Sequence, residues 1–483
     1  MEKKEYWKSE WSLVLAGLGM AIGCGNIWRF PRIAAQYGGS TFIVASIIAL
    51  FIWSVPILVL EMVMGKSTRK GPIGAFSSFL GTRYAWMGGW ITFVTLLIGC
   101  YYSVITGWCL KYIGLFAGGF PKDIAPGDVW NSFIASYEPV FFHFLALAIG
   151  IFLVIKGIQK GLELANKIVL PLLFLFMFCI AILAISRPGG IGGVEYLLFR
   201  FQFQDFQNPA LWLEAFAQSA WSTGAGWGLW LTYGVYCPEK TPVVKNCFLI
   251  ATGDLIASIL AGLMVIPTIF SHVTNVQERM TILSSGNQGL AFQHLVNLFQ
   301  QMEMGRLLGS VFFLALFLAA ISSLIAMLEL GVRSCMDTQL SRKKAALFVT
   351  LFIGLLGIPS AWSMSIFSNQ DWVWGLGLLI SGLFVALAGI IKGVQNIQSN
   401  HLPSIGKWWK YCIQYCIPIS CFFVLAWWMV ESTKWENAKW WDIAGLYTPL
   451  NVAFQWAGLL ILLILFNRYL AKSSQKSENK NAP

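Results

Sequence analysis

The chain has 483 residues, of which 57% are hydrophobic and 11% charged, with a mean hydropathy of +0.67. That balance excludes a soluble globular protein and fits a polytopic membrane protein. The formal net charge of +11 has no soluble domain to carry it as one basic face, so nucleic-acid binding is excluded too.

Apolar runs long enough to cross roughly 30 Å of hydrocarbon fall at 11–36, 41–65, 86–117, 139–157, 166–186, 209–237, 247–271, 304–336, 345–361, 372–396, 411–431 and 449–469, which predicts twelve spans. The opening Met-Glu-Lys-Lys-Glu is charged, but the run behind it is long, contains Arg29 and lacks a small-residue cleavage site. It is expected to stay as a membrane helix rather than leave as a signal peptide. With residues 1–10 placed in the cytoplasm, 23 of the 33 Lys and Arg residues fall in inner segments, as the bias of basic loops toward that side requires. Both termini are therefore expected in the cytoplasm, in a multi-pass protein of the cell inner (plasma) membrane. The tail at 471–483, rich in Lys, Ser, Asn and Gln, reads as disordered.

Two spans are interrupted where interruption is costly. Residues 23–31 read Gly-Cys-Gly-Asn-Ile-Trp-Arg-Phe-Pro inside the first span; close glycines weaken a helix, and Asn, Arg and Pro at membrane depth need partners that lipid cannot supply. The sixth span carries Ser222-Thr223-Gly224-Ala225-Gly226-Trp227-Gly228, three alternate glycines in an apolar run. Glycines can serve only close helix packing, but two breaks five spans apart, the first beside Asn26 and Arg29, suit a transporter built from inverted repeats with its binding site between discontinuous helices. The ten cysteines lie in spans or at the inner surface and form no outer-loop pair; Cys412 and Cys416, one turn apart without a nearby His, read as small apolar fillers. A channel would show a continuous polar stripe, and an enzyme a nucleophile with its base or a metal motif; neither pattern is present.

These segments carry a family resemblance. The stretch GMAIGCGNIWRFP, then GGSTF and Val55-Pro56-Ile57-Leu58-Val59-Leu60-Glu61-Met62-Val63-Met64-Gly65, resembles the first two helices of the neurotransmitter:sodium symporter family, close to its bacterial amino-acid transporters. The likeness recurs at Tyr101-Tyr102, KGIQKGLELANKIVLP, QSAWSTGAGWG, AGLMVIP, LAAISSLIA and Asp337. It implies an all-α fold with an inverted five-helix repeat, at 11–187 and 209–396, broken helices one and six, and two further spans at 411–470. It also implies sodium-coupled import of a neutral amino acid by alternating access, without enzymatic activity. A non-transporting amino-acid sensor of the same fold, or a channel, is the alternative. The partners implied are a small-molecule amino acid and the lipid bilayer, for a monomer or a homodimer.

Residue by residue, the resemblance implies a first sodium site at Ala21, Asn26, Ser222 and Asp254, and a second at Gly19, Ile22, Ala319, Ser322 and Ser323. The family position of Asp254 is often Asn, so a full carboxylate here makes chloride unnecessary as a neutralising partner. For the substrate, Cys24 and Gly25 offer amides to a carboxylate together with the Tyr102 hydroxyl, while carbonyls of Ala21, Trp221 and Ser222 meet its ammonium. Gly23 stands where amine carriers of the family have Asp, which argues for a zwitterion. The side-chain pocket would use Ile98, Trp221, Gly224, Trp227, Ser323 and Met327; two tryptophans shrink it and Gly224 enlarges it, which leaves its size open. The outer gate would be Arg29 with Asp371 and the inner gate Lys4 with Asp337, supported by Trp7 and Tyr236. Glu61 is expected to bond the unwound part of the first helix.

Overall fold

The computed structural model describes residues 5–121, 123–402, 405–435 and 439–475. Lys4 and the end of the tail lie outside the described residues. Among them the chain is helical with no strand, as expected where every backbone group at membrane depth must be satisfied within its own segment.

Among the described residues, nine helices are long and apolar enough to cross a membrane, eleven when two bent pairs each count as one span. The one expected span left over, the sixth at 209–237, meets neither description because it is cut into Pro209–Thr223 and Leu229–Val235. The first span is one of the bent pairs: Glu10–Ala21 and Gly25–Gln36 meet at 57°. Ser9 caps its start by accepting from the Ser12 amide. Its helical ladder ends at Ala21, and Ile22 is extended. Pro31 then sits in the first turn of Phe30–Gln36, where a missing amide costs little. In the sixth span, Gly224, Gly226 and Gly228 have φ of +70°, +87° and +75°. A side chain in that region costs about 1–2 kcal/mol per residue, so three alternate glycines are what this unwinding needs.

The third and eighth spans are the most buried. Thr82–Gly118 and Gly305–Met336 are 83% and 78% buried over their most apolar stretch, against 33% for Glu138–Ile155 and 22% for Lys407–Ser432. Exposed Phe141, Phe152, Phe178, Leu355, Phe422 and Leu465 form the outward apolar surface of the peripheral helices. Where disorder was expected from residue 471, the chain continues as the helix Asn467–Gln475. Asn467 caps the third span by accepting from the Trp86 amide, and Ala471 is buried; this short apolar side was hidden by the polar composition.

Candidate functional site

A cavity of about 450 Å³ opens between the two breaks. Ala21, Gly23, Cys24, Gly25, Tyr102, Trp221, Ser222, Gly224, Trp227, Ser323 and Met327 all line it. Ile98 does not: it is fully buried one turn before Tyr102, and Ile105, on the other side of Tyr102, lines the cavity instead. The cavity continues past Arg29 and Arg32 to Gln288, Trp435 and Tyr447, in segments expected on the outer side.

The backbone of the first break is held in place by side chains. The Gly23 amide donates to Asn26 Oδ1 at 2.9 Å, and the Cys24 amide donates to the Tyr102 hydroxyl at 3.2 Å. A Cβ on Gly23 would lie 2.8 Å from that hydroxyl and 3.0 Å from Ser323 Oγ, so a longer side chain there must displace both. The second break is tied by Thr95, which donates to the Trp227 carbonyl at 2.7 Å, and by Glu61, which accepts from the Gly228 amide at 2.8 Å. Glu61 thus serves the unwound part of the sixth span, not of the first as expected. Packing explains it: Leu229–Val235 lies directly on the second span, so closely that a Cβ on Gly65 would fall 1.8 Å from the Leu231 carbonyl oxygen. Trp221 and Trp227 meet edge to face, with centroids 5.5 Å apart.

Beside the cavity, oxygen atoms gather around one carboxamide. Asn26 Nδ2 lies 2.8 Å from Ser222 Oγ, 2.7 Å from Asp254 Oδ1 and 2.8 Å from Ser258 Oγ. Ser222 donates to Asp254 Oδ2 at 2.6 Å. An NH₂ group has two protons for these three acceptors. Asp254 is 2% exposed, and no Lys or Arg forms an ion pair with it among the described residues. A buried, oxygen-rich pocket with a carboxyl group that no Lys or Arg neutralises suits a hard cation. Ser258 was not anticipated; its signal was its place four residues after Asp254, on the same helix face.

At the other expected ion site, Ser323 donates to the Met20 carbonyl at 3.0 Å and so bridges the eighth span to the first break. Ser322 bonds back to Leu318 and Ala319 of its own helix at 3.0 and 2.9 Å, the common fate of a helical serine. Ile22, Ala319 and Ser322 are buried, and Gly19 lies buried in the same helix as Met20.

At the outer gate Arg29 is held by partners other than the one expected. Arg29 donates to Glu214 at 2.9 Å and to Gln218 at 2.5 Å, while Asp371 lines the same cavity apart from that ion pair. Glu214 and Gln218, one turn apart on Pro209–Thr223, hold the guanidinium against the side of the open cavity. Asp337 accepts from Arg333 and from the Gly71 amide, each at 2.7 Å; its expected partner Lys4 lies outside the described residues. At the end expected on the cytoplasmic side, a different cluster of buried charges joins several segments. Arg342 donates to both oxygens of the fully buried Glu329 at 2.7 and 2.9 Å and to Glu5 at 2.6 Å. Tyr236 donates to Glu329 at 2.5 Å, and Trp7 donates from Nε1 to the Tyr233 carbonyl at 3.1 Å. Burial pushes the Glu5 carboxyl above the usual carboxylate range, with Arg342 opposing. In the sequence Arg342 counts only as an inner basic residue, and nothing local links it to Glu5 or Glu329.

Comparison with known proteins agrees with this fold. The family model described as the sodium:neurotransmitter symporter family matches residues 4–125 and 137–472. An uncharacterised sodium-dependent transporter of Methanocaldococcus jannaschii is 30% identical over 86% of this chain and 89% of its own length. The sodium-dependent serotonin transporter of Drosophila melanogaster is 25% identical over 86% of this chain and 75% of its own. The crystal structure of MhsT in complex with L-phenylalanine superposes with a TM-score of 0.76 at 27% identity, covering 88% of this chain and 99% of that one. The chain belongs to the sodium:neurotransmitter symporter family and is a membrane transporter, not an enzyme.

Proposed function

We propose that the protein is a sodium-coupled symporter that imports a neutral, zwitterionic amino acid by alternating access. The observation that carries this reading is the buried Asp254 carboxylate, joined to Asn26 and Ser222 and facing no basic partner among the described residues, at the edge of a cavity framed by two unwound helices. A cation there completes the charge, and the Cys24 and Gly25 amides at the first break favour a substrate carboxylate. Two sodium ions and no chloride are the expected stoichiometry, because Asp254 already supplies the negative charge. The relatives named as sodium-dependent support the coupling ion, and L-phenylalanine in MhsT supports an amino-acid substrate.

The apolar lining by Trp221, Trp227 and Met327 favours an uncharged side chain. Repeats at 11–187 and 209–396 would rock against each other around this site, with residues 411–470 outside the moving pair. Both termini would face the cytoplasm at the cell membrane. The cavity reaches the outer loops while Trp7, Tyr236, Glu329 and Arg342 seal the inner end, which is an outward-facing arrangement. Radioligand binding to the purified protein tests the reading: neutral amino acids should bind in sodium and not in choline. Binding that ignores sodium would defeat it.

A further inference from the structure

The fifth span places a polar group where the ion sites assigned from resemblance have none. Asn166 stands in the first turn of Leu164–Ser186, just after the π turn Ile158–Glu163. It is 1% exposed. Its Nδ2 donates to the Leu162 carbonyl at 2.9 Å, which fixes the orientation of the carboxamide. Its Oδ1 is buried and has no hydrogen-bond partner. A buried acceptor left unpaired is uncommon and costs free energy.

That oxygen is aimed at the first span. A Cβ built on Gly19 would lie 1.9 Å from Asn166 Oδ1, so the carboxamide occupies the space a side chain at 19 would take. Gly19 lies in the last turn of Glu10–Ala21, where helix carbonyls run out of intrahelical donors. The neighbouring Met20 carbonyl takes the Ser323 hydroxyl, which brings the eighth span to the same turn. An unpaired amide oxygen from the fifth span and a serine from the eighth thus reach the same last turn of the first span, at the adjacent residues Gly19 and Met20. Amide and carbonyl oxygens are the donors that hard cations accept from broken membrane helices.

We infer that Asn166 belongs to the second sodium site: its Oδ1 is a ligand from the fifth span, so ion occupancy ties that span to the first and the eighth. This rests on the sodium-symport reading. It explains why a residue with a free acceptor is kept in an otherwise apolar contact, and why position 19 has no side chain. Release of the ion would free Asn166 from the first helix, which makes the fifth span sensitive to whether the site is filled.

The test is radioactive sodium binding to the purified full chain without substrate, alongside substrate binding at saturating sodium. Asn166→Ala should weaken sodium binding by about tenfold or more, the loss of one good polar ligand, with substrate affinity at saturating sodium unchanged. Asn166→Asp, which keeps the oxygen, should bind sodium at least as tightly as the wild type, and it serves as the second variant if the alanine protein does not fold. Gly19→Ala, which pushes the carboxamide away, should weaken sodium in the same way, and Asn166→Ala should not rescue it. A folded Asn166→Ala protein with wild-type sodium affinity, or an Asp variant no better than Ala, would overturn the assignment. Absence of sodium binding by the wild type would instead overturn the symport reading on which it rests.

Discussion

Replacing Asp254 with Asn removes one charge and leaves the shape of the site almost unchanged. The new amide can offer its oxygen to Asn26 Nδ2, now 2.7 Å from Asp254 Oδ1, and its NH₂ to Ser222 Oγ, now 2.6 Å from Oδ2. Ser222 only has to turn from donor to acceptor. The fold should therefore survive, and the cost should fall on the cation. A carboxylate and a monovalent cation about 4 Å apart attract by about 4 kcal/mol at an effective dielectric near 20. The folded protein has already desolvated this carboxylate, at 2% exposure. Because Asn keeps one oxygen ligand, a net loss of about 3 kcal/mol is reasonable, or roughly two powers of ten in affinity. Sodium titration of the purified variant, followed by tryptophan fluorescence with a substrate present, reads that loss as a shift in the half-saturating concentration. An unshifted titration would refute the reasoning, since it would mean that Asp254 does not face the ion.

Tyr102→Phe deletes the hydroxyl that meets the Cys24 amide and should weaken substrate binding about tenfold, leaving sodium binding without substrate as it was; equilibrium radioligand binding separates the two. Gly23→Asp forces a carboxylate into contact with the Tyr102 hydroxyl and Ser323 Oγ and against the substrate's own carboxylate. Amino-acid binding should vanish, while retained binding in the same assay would remove Gly23 from the site. Arg342→Ala strands the buried Glu329 charge, a loss of about 3–5 kcal/mol for the closed inner end. Cys237, fully buried beside Tyr236, should then react with an impermeant thiol reagent applied from the inner side. Glu5→Gln should act in the same direction but more weakly, because the Glu5 side chain is 33% exposed.

The fold was legible because membrane depth makes local sequence decisive. Twelve apolar runs and two interruptions follow from the need to satisfy backbone groups without water, and the positive φ of Gly224, Gly226 and Gly228 is a local fact that glycine spacing announces. The cavity was legible for the same reason, since Gly23 to Asn26 form a contiguous anomaly. Long-range polar partners were not. Glu329, Arg342 and Glu5 are far apart in sequence and each looks ordinary alone, as do Glu214 and Gln218, which hold Arg29. Helix packing selects such partners, and one sequence carries no trace of the packing beyond the helical period. Glu61 shows the limit well: its burial was readable, but its partner at Gly228 depends on how closely two helices approach.

Coupling is the central claim, and it is tested most directly in proteoliposomes holding only this protein. An inward sodium gradient, imposed with neutral amino acids outside, should drive at least one of them above its external concentration. Collapsing the gradient, or replacing sodium with choline, should abolish that accumulation. Binding of the amino acid without gradient-driven accumulation would contradict a symporter and leave a receptor of the same fold.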